Sequence, residues 1–370
     1  MNQLESLVEI SHYYGNNPSY VIAGGGNTSY KTPEKLWVKA SGISLADIRK
    51  DGFVTLSRSL LGLMEDKTYS KDPLLREEEV KSDLHHAIHS PDNLRPSVET
   101  SLHNLMEYSY IVHTHPTIVN ALMCANDAKK EVEERFGSEA LFVEYSDPGY
   151  ILFKKVQAQI RTYNMNFGQA PKIIFLQNHG VFVGANTARE VKAIYDSVES
   201  RIRERKNLLL PDAEIEEFVS DTSRSIADFF SSRGLSSKAY RSGLMDHFSD
   251  SPVRYKKINR PFTPDIIVYC KSNYLFLEKG ISREEIITKL EQFEQTNGYF
   301  PKVIVEEKGG VILVEESDRS IQTVLEVFTD MMKISYLSEH YGGPHFMTDE
   351  QISFIDNWEV ENYRRSVAKS

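Results

Sequence analysis

Three histidines and one glutamate have the types and spacing of a catalytic metal site. His113 and His115 lie two residues apart in an apolar run, so a strand would present both imidazoles on one face of its sheet. His179 follows a second apolar run, where a strand end would place it, and Glu99 precedes the first run. Three histidines with an open fourth position are typical of catalytic zinc, and a nearby carboxylate can transfer protons. Read separately, the four are ordinary polar residues; their joint spacing favours a divalent metal site with Glu99 as acid or base.

Three further segments could bind an anion such as phosphate. Asn27 lies in the glycine-rich loop 24–29, whose backbone N–H groups could approach an anion closely. Ser41 and Gly42 follow a predicted strand, and Ser97 is a predicted helix N-cap, where the helix dipole favours negative charge. The glycine loop has neither of the common nucleotide-binding fingerprints. Taken one at a time, these segments fit a tight turn or a plain N-cap equally well, so their convergence is left open.

The order of predicted elements indicates how these residues are carried. Strands and helices alternate over residues 1–210, which predicts a layered α/β domain with a central sheet and flanking helices. Residues 211–261 are predicted as a linker with a helix near 214–232, and residues 262–370 as a smaller α+β domain. In that domain a strand is expected at 265–270 and a hairpin around Gly309-Gly310. No internal repeat is evident.

Composition limits the kinds of partner that are expected. The 370 residues are 40% hydrophobic, enough for two cores. A net charge of −10 repels nucleic acid and anionic lipid, so neither is an expected partner. Two cysteines make no disulfide framework, and neither a signal peptide nor a membrane span is recognisable. The expectation is a soluble, cytoplasmic protein that acts on a small molecule.

Five short motifs together resemble the class II aldolase/adducin family. They occur over roughly residues 1–210, in the order and approximate spacing of that family: Gly26-Asn27-Thr28-Ser29, Ala40-Ser41-Gly42, Pro96-Ser97-Val98-Glu99, His113-Thr114-His115-Pro116 and Gln177-Asn178-His179-Gly180. Three segments look most like the aldolase portion of bifunctional rhamnulose-1-phosphate aldolase/lactaldehyde dehydrogenases. They are the Pro-Ser-Val-Glu-Thr sequence at 96–100, Gly342-Gly343-Pro344 and the tail 358–365.

The resemblance implies a role for each matching residue. It implies a class II aldolase-like fold, a homotetramer, and zinc or another divalent cation on His113, His115 and His179, with Glu99 as acid/base. The substrate phosphate would be held by Asn27, Ser41, Gly42 and Ser97. Val98 stands where the small aldolases have a second serine, so one phosphate hydroxyl is missing.

The reaction expected from these features is reversible retro-aldol cleavage of a ketose 1-phosphate, of rhamnulose or fuculose type, to dihydroxyacetone phosphate and an aldehyde. A sugar-phosphate 4-epimerase or a dehydratase could use the same metal site. A non-catalytic adducin-like binding module is the alternative of a different class, but such modules dispense with the ligands that this chain retains.

Overall fold

The computed structural model describes residues 3–90, 94–204, 206–212 and 214–357, so the tail motif at 358–365 lies outside it. The chain divides into two compact units. Unit 1 falls within residues 1–123 and 127–205, and unit 2 within 124–126 and 206–370. Within the described ranges, no helix combines the length and apolarity needed to cross a bilayer.

Unit 1 is built on a seven-stranded sheet with the order β3-β2-β1-β4-β7-β6-β5 among the described residues. The β5/β6 pair is parallel, and the other neighbours are antiparallel. The strands are β1 (Asn27–Lys31), β2 (Lys35–Lys39), β3 (Phe53–Ser57), β4 (Tyr110–Thr114), β5 (Ala140–Val143), β6 (Ile173–Leu176) and β7 (Gly180–Ala185). The central strands β4, β6 and β7 are buried along their whole length, as expected for strands covered on both faces.

Unit 1 also contains α-helices, some of which begin or end with common capping motifs. They are α1 (Gln3–Gly15), α2 (Arg58–Asp66), α3 (Pro73–His86), α4 (Thr100–Leu105), α5 (Thr117–Met123), α6 (Ala128–Phe136), α7 (Tyr150–Phe167) and α8 (Ala188–Arg203). A capping box between Thr187 and Glu190 starts α8, and a left-handed Gly168 ends α7. α7 buries Leu152, Phe153 and Val156 in a core cluster that also contains Phe182 of β7.

The described part of unit 2 contains a five-stranded sheet with the order β10-β11-β12-β9-β8. Its strands are β8 (Glu216–Phe218), β9 (Ser236–Arg241), β10 (Leu275–Leu277), β11 (Val303–Glu306) and β12 (Gly310–Glu315). Its helices are α9 (Asp221–Ser231), α10 (Gly243–Ser249), α11 (Pro252–Tyr255), α12 (Pro264–Cys270), α13 (Arg283–Asn297), α14 (Asp318–Ser338) and α15 (Asp349–Asn357).

Two predictions for this region were wrong. Segment 211–261 is no linker, because β8 and β9 are strands of the unit 2 sheet and α9 buries Ile226 and Phe230 in its core. Segment 265–270 is helical rather than a strand, since Pro264 occupies the first turn and a short apolar run has no decisive period. The predicted hairpin formed by β11 and β12 is present.

Unit 2 repeats five strands of unit 1, which the sequence analysis did not recognise. The order β10-β11-β12-β9-β8 corresponds to β5-β6-β7-β4-β1, with the parallel pair at the same end and antiparallel pairing elsewhere. Backbone hydrogen bonds recur at matching steps: Asn178 N donates to Met123 O at 3.1 Å, and Lys308 N donates to Ser249 O at 2.8 Å. The repeat is one of backbone geometry, because the two copies share few functional side chains.

Candidate metal centre

The central strands of unit 1 bring the three predicted imidazoles together. His113 lies in β4 and pairs with Phe182 of β7, whose ring stacks on the imidazole with centroids 4.0 Å apart. His115 follows the end of β4, and His179 lies in the short turn that joins β6 to β7. The β4/β7 pairing therefore places this turn beside the end of β4.

The donor atoms of these residues surround one point. One nitrogen from each of His113, His115 and His179 lies within 4.8 Å of the others, and the Nε2 atoms of His113 and His115 are 2.9 Å apart. Glu99 Oε1 lies 3.3 Å from Nε2 of both His113 and His179. Sequence reasoning named all four residues, and the structure brings all four together.

The geometry fits a divalent cation with nitrogen ligands. Zinc–nitrogen bonds of 2.0–2.1 Å in a tetrahedron separate ligand atoms by about 3.3 Å, close to the spacings found here. The Val181 carbonyl lies 3.0 Å from His113 Nδ1 and accepts its N–H, which leaves the Nε2 lone pair directed at the other donors. Glu99 Oε1 is buried and makes no hydrogen bond to the described residues, as expected of an oxygen that faces a cation.

Two residues of the β6–β7 turn explain how His179 reaches this point. Asn178 takes a left-handed conformation with φ 54°, which asparagine tolerates better than most residues. A Cβ on Gly180 would lie 2.6 Å from Thr114 O and 2.7 Å from the His115 ring. Because only glycine fits between the turn and β4, the His-Gly pair has a steric cause.

The start of α4 differs from its prediction. The helix begins at Thr100 with Glu99 at the N-cap position, so Ser97 is not the N-cap. Ser97 is buried, and its Oγ accepts a hydrogen bond from Glu99 N at 3.2 Å. Its hydroxyl therefore helps to fix the backbone that carries the Glu99 carboxylate.

Asn27 contacts Glu99, a partner that sequence reasoning did not foresee. Asn27 Nδ2 donates to Glu99 Oε2 at 2.6 Å, and Asn27 Oδ1 accepts from His103 Nε2. The β1/β4 register sets Asn27 opposite His113, which brings this amide to the metal-ligand cluster. One amide hydrogen of Asn27 is thus used on the carboxylate.

Two predicted phosphate ligands lie beside the segment that contains Ser97. Ser41 N donates to Arg95 O at 2.8 Å, and Ala40 pairs with Pro96 in an isolated bridge, which joins the end of β2 to residues 95–97. Gly42 has φ 85°, so its backbone adopts a conformation that a side chain would oppose. The structure therefore places Ser41 and Ser97 on adjoining backbone segments.

Sequence reasoning did not group the polar residues that share one face of β1. Asn27, Ser29 and Lys31 alternate along the strand and all three contact His103, Ser29 Oγ lying 2.7 Å from its Nδ1 and Lys31 Nζ donating to its carbonyl. Burial lowers the pKa of His103 well below its usual value, and His113 and Lys31 act in the same direction. The signal available in the sequence was three polar residues at a two-residue period, which predicts a shared face.

Comparison with known proteins identifies the family. The family model described as Class II Aldolase and Adducin N-terminal domain matches residues 5–204. The chain belongs to the class II aldolase and adducin family. This membership confirms the predicted mixed α/β fold, with the class II aldolase fold in the N-terminal half and a further sheet-containing domain after it. The matched range includes the cluster of His113, His115 and His179.

One curated relative of this class II aldolase/adducin chain aligns with a little more than half of it. A curated Bacillus subtilis protein, "Uncharacterized oxidoreductase YuxG", is 29% identical over 217 residues, which are 55% of this chain and 30% of that protein. The chain thus spans about a third of the length of this relative.

Solved structures also match about half of the chain. The N-terminal class II aldolase domain of a conserved Thermoplasma acidophilum protein is 24% identical, with a TM-score of 0.47, over 54% of this chain and 92% of that one. The L-fuculose-1-phosphate aldolase of Thermus thermophilus is 14% identical, with a TM-score of 0.35, over 54% of this chain and 90% of that one.

The repeated sheet of unit 2 has different residues at the ligand positions. Strand register sets Ala239 where unit 1 has His113, and Arg241 follows at the position of His115. Gly309 occupies the turn position of His179, with the same backbone hydrogen bond to the residue three before it. At these three positions unit 2 offers no imidazole.

Proposed function

We propose that this protein catalyses reversible retro-aldol cleavage of a ketose 1-phosphate to dihydroxyacetone phosphate and an aldehyde. The observation that carries the proposal is the convergence of three imidazole nitrogens and the buried Glu99 Oε1 on one point. Family membership supports an enzyme of this kind. The identity of the sugar phosphate and of the aldehyde belongs to the proposal.

His113, His115 and His179 would hold the cation, and zinc suits three neutral imidazoles with an open position. When bound, the cation supplies Lewis-acid polarisation of the ketose carbonyl. The protein contributes ligand orientation: the Val181 carbonyl fixes the His113 tautomer, and the Phe182 ring fixes the plane of its imidazole.

Glu99 would carry the proton at the reacting carbon. In the synthetic direction its carboxylate removes a proton from the hydroxymethyl carbon of dihydroxyacetone phosphate, and the electron pair left there attacks the aldehyde carbon, whose oxygen takes the displaced electron pair and a proton from solvent. In the cleavage direction the hydroxyl that becomes the aldehyde oxygen loses its proton to solvent as the carbon–carbon bond breaks, and Glu99 returns a proton to the hydroxymethyl carbon. Asn27 donates to Oε2, so Oε1 is the oxygen that faces the imidazoles and the reacting carbon.

The phosphate would bind where the end of β2 adjoins residues 95–97. Ser41 and Ser97 supply hydroxyl groups there, and the left-handed Gly42 allows the backbone to approach an anion closely. Lys39 is buried at the end of β2 and places a cation near this region. We assign Ser41, Gly42 and Ser97 to phosphate binding, and Asn27 chiefly to Glu99.

The proposal is tested with the purified full chain and a panel of ketose 1-phosphates. Cleavage is followed by the dihydroxyacetone phosphate formed, and the aldehyde is trapped as a hydrazone, because a released aldehyde separates an aldolase from an epimerase. Metal is removed with a chelator and restored with zinc. We expect activity to disappear and return with the metal.

Glu99→Gln tests the proton transfer with little change in shape. We expect kcat to fall by about 10²- to 10⁴-fold while bound zinc is retained. Glu107→Gln, at an exposed glutamate just after α4, is the matched control and should keep wild-type kcat. Zinc-loaded protein that cleaves no ketose 1-phosphate, or a Glu99→Gln variant with unchanged kcat, would overturn the proposal.

A further inference from the structure

A series of hydrogen bonds connects the Glu99 carboxylate to buried residues of unit 1. Glu99 Oε2 accepts from Asn27 Nδ2 at 2.6 Å, Asn27 Oδ1 accepts from His103 Nε2, and His103 Nδ1 lies 2.7 Å from Ser29 Oγ. His103 and Ser29 have no exposed surface, so water cannot replace either partner. Each of these hydrogen bonds is therefore made between protein atoms alone.

The Glu99 carboxylate determines the direction of every hydrogen bond in this series. A carboxylate only accepts, so the Asn27 amide must present its N–H to Glu99 and its carbonyl to His103. That carbonyl requires a proton on His103 Nε2, which leaves Nδ1 as an acceptor for the Ser29 hydroxyl. A neutral ring meets both demands, and burial favours the neutral form.

We propose that His103 is a positioning residue, which acts on Glu99 through Asn27 and is held in the Nε2–H form by the Asn27 carbonyl, while Ser29 occupies its Nδ1. This inference rests on the proposed function of Glu99. By fixing the Asn27 amide, His103 ties Oε2 to the protein and leaves Oε1 directed at the imidazole cluster. Loss of the donor at Nε2 would free the amide to turn its carbonyl toward Glu99, which would repel the carboxylate from its working position.

Two amide substitutions separate this role from simple packing. The Gln side chain can place its N–H₂ near the position of Nε2, so His103→Gln retains a donor to Asn27. The shorter Asn side chain reaches only the position of Nδ1, so His103→Asn faces Ser29 and loses that donor. Both variants remove the ring, its contact with Phe182 and its volume, so any packing loss is shared between them.

We expect His103→Asn to lower kcat about 10- to 100-fold, with KM and zinc content close to wild type. His103→Gln should recover most of the wild-type kcat. Equal losses of kcat in the two variants would overturn the inference, because they would assign His103 to packing alone. A rise in KM with unchanged kcat would overturn it too.

A measurement on the wild-type chain keeps the inference independent of activity and of variant folding. The ¹⁵N shifts of His103, assigned by comparison with His103→Gln, report which ring nitrogen carries the proton. We expect the Nε2–H tautomer in the wild type and also in Ser29→Ala, because the Asn27 carbonyl sets it. The Nδ1–H tautomer would overturn the inference even if the aldolase activity is confirmed. Conversely, a chain that cleaves no sugar phosphate but shows Nε2–H refutes only the proposed function.

Discussion

Asn178 and Lys308 hold the same left-handed backbone conformation, with φ values of 54° and 57°, at equivalent points of two strand-to-strand turns. Asn178 lies in the β6–β7 turn that carries His179, and Lys308 lies in the β11–β12 turn that carries Gly309. Asparagine is a frequent non-glycine residue in this region, whereas lysine gains nothing there from its side chain. The two turns thus share a backbone conformation although the residues at this position differ.

Lys308→Gly should stabilise the protein. Lys308 is exposed, and its positive φ imposes strain that glycine does not feel. We expect a free energy of unfolding about 1 kcal/mol above that of Lys308→Ala, which loses the same side chain but keeps the strain. Urea unfolding of the two variants measures the difference, and equal stabilities would contradict the explanation.

His115→Ala should weaken metal binding without unfolding unit 1. The side chain lies beyond the end of β4 and is partly exposed, whereas His113 is fully buried within the strand. Zinc affinity, measured by competition with a chromogenic chelator, should fall by about tenfold or more because one of three ligands is removed. His86→Ala, at an exposed histidine of α3, is the matched control, and a similar loss of affinity there would speak against the site.

Ser41→Ala should affect the binding of a phosphorylated substrate more than its conversion. A hydroxyl that donates to a phosphate contributes about 1.5–3 kcal/mol, which is roughly a 10- to 100-fold rise in KM, with kcat nearly unchanged. Val98→Ser supplies a hydroxyl at the neighbouring position and should lower KM. Steady-state kinetics on one ketose 1-phosphate compares both variants, and a change confined to kcat would place the phosphate elsewhere.

Unit 2 should lose stability in mild acid through His247. Burial lowers the pKa of His247 below its ordinary 6.5; Arg254 and Lys257 lower it further, and Asp250 and Glu339 oppose them. As the pH falls below that ordinary value, the unfolded chain binds a proton that the native ring resists, so the free energy of unfolding decreases. Above it, the ring is neutral in both states and contributes no pH dependence.

His247→Gln should flatten this part of the pH dependence. Urea unfolding from neutral pH to about 5 measures the slope in the variant and the wild type. Arg254→Gln is the companion variant, because removal of its cation should raise the pKa of His247 and reduce the slope in part. An unchanged slope in His247→Gln would assign the effect to other groups.

Much of unit 1 could be predicted because its patterns are local. The alternation of β4 sets His113 and His115 on one face, and the apolar run of β6 ends just before His179. Asn27 illustrates what local pattern cannot reach. Its contact with Glu99 depends on the β1/β4 register and on where α4 begins, and neither is encoded within a few residues of Asn27.

The errors in unit 2 have a different physical origin. The run at 265–270 is apolar at nearly every position, so neither a two-residue nor a helical period could be distinguished. β8 spans only Glu216–Phe218 and exposes two of its residues, which gives it no hydrophobic signal. The repeated sheet was missed because its strands match in order and pairing, while Ala239 and Arg241 replace the residues that draw attention in unit 1.

Unit 2 has Ala239, Arg241 and Gly309 at the positions of the three ligands. It therefore serves as an internal control for metal binding by unit 1. Added zinc should raise the unfolding midpoint only of the half that carries His113, His115 and His179, in proportion to the logarithm of its concentration above Kd. The other half repeats five of the seven strands without these three imidazoles, so it reports what heat does to the repeated backbone in their absence. One calorimetric scan would thus contain both the measurement and its blank.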